Sequence, residues 1–195
     1  MFVFAATGAL IAARGRYDII TMLFFAAITG VGGGTLRDLL IGAPVFWVAD
    51  SRYLSVCLLA TLAVWFGGKY LDRKRTLIWL DCVGLASYAV LGAAKAYALS
   101  VSPGASIVMG VLTAVFGGVL RDIVAGQPSI LLSREIYVSG ALAGAAVYVA
   151  TSSLGAPEPV PLMAGFLAGF AVRAGAIVFG WHWPGYPAER HANRE

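Results

Sequence analysis

Gly32-Gly33-Gly34-Thr35-Leu36-Arg37-Asp38-Leu39-Leu40-Ile41-Gly42-Ala43-Pro44 is the stretch whose reading decides the fold. It lies inside the apolar run Thr21–Pro44, and its skeleton returns 84 positions later. Gly33, Gly34, Leu36, Arg37, Asp38, Gly42 and Pro44 become Gly117, Gly118, Leu120, Arg121, Asp122, Gly126 and Pro128. A skeleton repeated at a fixed offset is an internal repeat, and it settles architecture before any single residue is weighed.

Of 195 residues, 59% are hydrophobic and only 12% are charged. A soluble domain carries about a quarter charged residues. This chain has too little polar side chain to cover a globule in water, whereas a lipid span asks for about 20 mostly apolar residues. The composition therefore predicts one integral membrane domain over 1–183 and a polar tail over 184–195. The runs are too continuous for the alternating pattern of a membrane barrel. Because unsatisfied backbone groups are costly in lipid, each run is expected to be a helix.

Seven runs follow from this rule: Met1–Ala13, Ile19–Ile41, Tyr53–Tyr70, Leu77–Lys95, Ala105–Ala125, Ile136–Ser152 and Leu162–Trp181. The first is too short to span alone and lacks the basic start of a signal peptide. Gly8–Arg14 resembles Ala89–Lys95, whose run begins much earlier, so the first helix is expected either to continue upstream or to stop short of one membrane face. Repeat one occupies about 1–70, repeat two about 77–152, and the seventh helix about 162–181. Three helices per repeat make the second enter from the opposite face, an inverted-repeat plan.

Charge sets the expected orientation. Arg14, Arg16, Lys69, Arg73, Lys74, Arg75, Arg134, Arg190 and Arg194 fall on one side, against Arg52 and Lys95 on the other. The positive-inside rule makes the first side cytoplasmic, with the N-terminus outside and the C-terminus inside. The net charge of +4 is thus assigned to orientation, with no nucleic-acid partner implied. Arg73-Lys74-Arg75 is suited to anionic lipid headgroups.

The glycines permit two readings. Each weakens a helix by about 1 kcal/mol, which favours kinked or broken helices two and five crossing at a pore. Each also lets another backbone approach, which needs no pathway. The pore and kink candidates are Gly32, Gly33, Gly34, Thr35, Gly117 and Gly118.

Depth sorts the charges Arg37, Asp38, Arg121 and Asp122. Gly33 lies about 21 Å into its helix at 1.5 Å per residue, so Arg37 and Arg121 fall near opposite faces and Arg37 is too far from Asp122 to pair. Asp81 matches Arg121 in depth, and an intramembrane carboxylate is costly unless paired. An Asp81–Arg121 pair is expected, with Arg37 left to Asp38 or water. Lys95 either snorkels to the interface or lines the outer mouth. Ser87 and Tyr88 are hydroxyl candidates for a polar lining. Gly140-x-x-x-Gly144 and Gly165-x-x-x-Gly169 offer close-packing faces, within one chain or between chains. Cys57 and Cys82 read as small buried hydrophobes, and His182 and His191 as surface residues. No metal or cofactor set and no nucleophile–base constellation is visible, so an enzyme is not expected.

Gly32 to Trp47, with Gly117-Gly118-Val119-Leu120-Arg121-Asp122, resembles the signature of the prokaryotic trimeric intracellular cation (TRIC) channels and the related bacterial "glycine transporter domain" family. The resemblance spans Phe4 to about Trp183. It implies an all-α membrane protein of seven helices, two inverted three-helix repeats plus one. It also implies a homotrimer with one K⁺-permeable pore per subunit, lined around kinked helices two and five. Lys95 falls where eukaryotic members carry a lysine implicated in gating by voltage or lipid. The short first helix departs from the family pattern.

Three functions remain open at this point: a passive monovalent cation channel, a carrier of glycine or another small amino acid, and a structural or lipid-binding membrane protein. The arginines, and helix starts after the glycines, suit a carboxylate and so favour the carrier. Hydroxyls and backbone carbonyls suit a cation.

Overall fold

The computed structural model describes residues 1–67, 73–129 and 136–184, with backbone alone at Arg73 and Lys74. The expectations for Lys69, Arg134, Arg190, His191, Arg194 and the tail from 185 onward lie outside the described residues, as do those for the Arg73 and Lys74 side chains. Among the described residues there are eight helices: α1 (Phe2–Arg14), α2 (Ile19–Leu40), α3 (Phe46–Ala49), α4 (Arg52–Gly67), α5 (Arg73–Ala98), α6 (Pro103–Val124), α7 (Val138–Ser153) and α8 (Val160–Phe179). Four of them, α2, α5, α6 and α8, are long and apolar enough to cross a membrane. The other long ones, α1, α4 and α7, have 13, 16 and 16 residues.

Local chemistry sets the ends. Asp18 caps α2, its Oδ1 accepting from the backbone N–H groups of Ile20 at 2.9 Å and Thr21 at 3.0 Å, two of the donors a helix start leaves over. Gly42 and Gly126 stop α2 and α6 with φ of +67° and +62°, a conformation that strains any residue with a Cβ. That is why glycine occupies the same place in both copies of the repeat.

The core has two parts. Ala5, Ala9, Leu10, Met22, Phe25, Ala26, Cys57 and Ala60 bind α1, α2 and α4 together. Leu85, Ala89, Val90, Ala93, Ala114, Ala141, Ala145 and Tyr148 do the same for α5, α6 and α7. Phe4 joins the parts, its ring edge-on to Tyr88 with centroids 4.7 Å apart. So much alanine allows close helix approach, which is how helices associate where lipid removes the hydrophobic drive. Large apolar side chains such as Phe24, Leu59, Phe66 and Leu167 are exposed on the outside.

Both glycine pairs resolve into contacts. A Cβ on Gly33 would overlap the carbonyl of Thr113, and one on Gly117 would overlap the carbonyl of Thr29. The later residue of α2 meets the earlier residue of α6, so the two helices run past each other in opposite directions. Gly140 and Gly144 face Gly169 and Gly165: a Cβ at Gly144 would stand 3.1 Å from the Gly165 carbonyl oxygen, and one at Gly169 3.0 Å from that of Gly140. The alternative left open for these faces is decided within the chain, between α7 and α8.

Of the kink and the break expected at the glycines, the break is not there. Each of α2 and α6 is a single helix through its glycines. Glycine's helix penalty is small beside the packing gained when two backbones touch. No helix starts after the glycines, so no dipole end points into the crossing.

Candidate functional site

Two charged clusters flank the α2–α6 crossing, and α5 reaches both. Its Asp81 and Lys95 are 14 residues apart, about 21 Å along a helix.

At the Lys95 end, Arg37 donates from Nε to Asp38 Oδ1 at 2.9 Å, with Nη2 at 2.8 Å. Lys95 Nζ donates to the same oxygen at 2.7 Å. The other oxygen, Oδ2, accepts the backbone N–H of Phe46 at 3.0 Å. Asp38 is fully buried, while the Lys95 side chain is 33% exposed. Lys95 therefore ends on a carboxylate, which neither sequence reading of it included.

At the Asp81 end, Arg121 repeats the pairing with its neighbour, Nε to Asp122 Oδ1 at 2.9 Å. Its Nη1 adds Asp81 Oδ1 at 2.8 Å and Thr7 Oγ1 at 2.9 Å. Arg121 and Asp81 are both buried, with side chains 1% exposed. The same dipeptide is thus used in two ways. In one copy its arginine takes a carboxylate from α5, and in the other its aspartate takes an ammonium. At the Lys95 end two cations share the Asp38 carboxylate, and at the Asp81 end Arg121 is held between two carboxylates. A buried charge needs such pairing, since desolvation is otherwise prohibitive.

A cavity of about 440 Å³ opens at the Lys95 end. Gly34, Arg37, Phe46, Tyr88, Lys95 and Thr113 are among its lining residues. Tyr88 donates its hydroxyl to the Gly30 carbonyl at 2.8 Å. Thr35 donates to Val31 O at 2.7 Å and accepts Trp47 Nε1 at 2.9 Å. Ser87 donates to Val83 O at 2.8 Å, within its own helix. Of the sequence candidates, the structure brings Gly34, Arg37, Lys95 and Tyr88 to one cavity, and Asp81, Arg121 and Asp122 to the opposite cluster. Gly32, Gly33 and Gly117 form the crossing itself, with Gly32 against Leu120. Gly118 faces the Tyr137 hydroxyl, 3.2 Å from where a Cβ would be.

Several residues were missed by sequence reasoning. Arg173, in α8, is 2% exposed. Its guanidinium lies 5.1 Å from the centroid of the Tyr137 ring, and its Nη1 donates to the Ile136 carbonyl at 3.4 Å. A charge inside an apolar run was the available signal. Phe46, Tyr53, Thr113 and Thr7 carried none, because their places are set by contacts distant in sequence. Cys57 and Cys82 are free thiols and buried. His182 is exposed.

A family model described as glycine transporter matches residues 1–69 and 78–153. A UPF0126 membrane protein of Vibrio cholerae is 34% identical over 190 residues, covering 92% of this chain and 76% of the relative. The UPF0126 inner membrane protein YadS of Escherichia coli K12 is 34% identical over 184 residues, covering 92% and 88%. Among solved structures, the TRIC trimeric intracellular cation channel orthologue from Rhodobacter sphaeroides superposes with a TM-score of 0.89 at 46% identity, covering 92% of this chain and 94% of that one. A prokaryotic TRIC channel crystallised in 0.5 M KCl gives 0.85 at 27% identity, with 92% of each chain covered.

Proposed function

This chain belongs to the TRIC family, and from that premise we propose that it is a homotrimeric, K⁺-permeable channel with one passive pore in each subunit. It is a membrane protein, and its close likeness to TRIC cation channels supports a cation channel and not an enzyme. The observation that carries the reading is likeness over nearly the whole chain to a TRIC orthologue that shares almost half its residues.

The finer proposal is a single transmembrane domain over 1–183. Two inverted three-helix repeats make up most of it, with α8 outside them. The opposed α2 and α6, and the Arg Nε–Asp Oδ1 bond common to both, support the inversion. The pore runs beside the glycine crossing, where α2 and α6 flex. We place the protein in the inner membrane with its N-terminus outside and its C-terminus cytoplasmic, as YadS and the basic loops suggest. Positive charge is offset in part here, because Arg37 and Lys95 share the Asp38 carboxylate and Arg121 is held by Asp81. Lys95, on the cavity and bonded to buried Asp38, is the gating candidate.

Purified protein in liposomes tests this. Single-channel K⁺ currents that do not saturate like a carrier are expected. Saturable glycine uptake without currents would replace the channel with the carrier, and neither activity would leave a structural role.

A further inference from the structure

The segment that follows α2 does more than leave the membrane. It turns back, and Phe46, the first residue of α3, lays its ring against Gly34. A Cβ on Gly34 would stand 2.6 Å from Phe46 Cε1 and 3.3 Å from Cδ1, so the glycine is a socket for this ring. Four further contacts hold the arrangement. The Phe46 N–H is bound by Asp38 Oδ2 at 3.0 Å. The Arg37 guanidinium sits over the ring, 6.0 Å from its centroid. Tyr53 packs edge-on with centroids 4.8 Å apart. Trp47 is tied to Thr35 at 2.9 Å. The ring also faces the cavity that holds Lys95 and Thr113, and Thr113 belongs to the glycine crossing.

We propose that Phe46 is the size-limiting side chain of this cavity: its ring narrows the route between the cavity and the α2–α6 crossing and excludes cations larger than K⁺. The inference rests on the channel reading above. A planar ring with two side-chain torsions loses little freedom when fixed and presents a hard apolar wall. Asp38 sets its position through the backbone N–H, so the ring is held by the same carboxylate that binds Lys95. If the ring only pinned the chain after α2, removing it would lower stability and leave size selection untouched.

The test is the permeability of tetramethylammonium relative to K⁺ in reconstituted protein. Phe46→Ala is expected to raise that ratio several-fold, and Phe46→Trp to lower it. Phe46→Leu, which keeps an apolar filler, should fall between wild type and Phe46→Ala and stands in for it if Phe46→Ala fails to fold. Val48→Ala, at an exposed position of α3, should match wild type. Intact K⁺ currents with an unchanged ratio in all the Phe46 variants would overturn the assignment alone. No K⁺ current in the wild type would instead remove the channel reading on which it rests.

Discussion

Lys95 Nζ lies 2.7 Å from Asp38 Oδ1 and so joins the last turns of α5 and α2. The ammonium is one-third exposed and the carboxylate fully buried. Lys95→Met would leave Asp38 its bonds from Arg37 and the Phe46 N–H, so the protein should still fold. The cavity would lose one of its cations. K⁺ conductance should then exceed that of wild type at low salt. The two should converge as salt rises, because the screening length falls from about 10 Å at 0.1 M to about 3 Å at 1 M. Conductance measured across that range checks this, and a difference independent of salt would contradict it.

Arg121 depends more on its partners. Its side chain is 1% exposed, and Asp81, Asp122 and Thr7 surround it. Breaking a buried pair by removing one partner costs about 3–5 kcal/mol. Asp122 would remain in Asp81→Asn, so a loss near the lower end, about 3 kcal/mol, is expected. Thr7→Val removes one hydrogen bond to a group that keeps both carboxylates, and should cost about 1.5 kcal/mol. Denaturation in detergent micelles should show Asp81→Asn as the weaker protein, and the reverse order would contradict this account.

Outside the membrane, pH acts through Asp18. The Thr21 backbone N–H, then the Thr21 hydroxyl, holds this carboxyl below its ordinary value of 3.8. A depressed value means the capped carboxylate stabilises the fold above pH 3.8, and the contribution fades as pH falls through the folded value. Asp18→Ala should lower the thermal midpoint at neutral pH and match wild type in strong acid. Asp18→Asn still caps and should carry no such pH dependence. A midpoint series against pH for the three proteins distinguishes these outcomes.

How far the fold was legible depends on where its signal lay. The doubled Gly-Gly-x-Leu-Arg-Asp skeleton gave the repeat, because identical residues at one offset need no coordinates to be seen. Depth along the helices brought Asp81 to Arg121, since the expected spans put the two at a similar depth. Lys95 escaped that logic: its partner Asp38 belongs to a helix whose angle to α5 no periodicity records. Phe46 was quoted within the motif but given no part, since only the turn after Gly42 swings it over Gly34. The glycines left two readings open for a different reason. Their helix propensity is measured in water and describes an isolated segment, while α2 and α6 stay helical because each glycine admits the other's backbone.

That exchange makes the crossing the most sensitive point in the chain. Gly33 meets the Thr113 carbonyl and Gly117 the Thr29 carbonyl, in both cases backbone that no rotamer change can move aside. Overpacking a core costs about 1–3 kcal/mol where side chains can adjust, so Gly33→Ala and Gly117→Ala should exceed that range, with the double variant failing to assemble. Gly104 is the control. It lies in the first turn of α6 with nothing within 4 Å of an added Cβ, and alanine there should be neutral or gain up to about 1 kcal/mol from helix propensity. Because both contacts belong to one α2–α6 surface, the single variants should fail in the same way, by separating α2 from α6, while α7 and α8 stay joined at Gly144 and Gly165. Cysteine pairs placed across each interface would report this as loss of crosslinking between α2 and α6 and its retention between α7 and α8. Equal retention at both would show that the backbones can part elsewhere without cost.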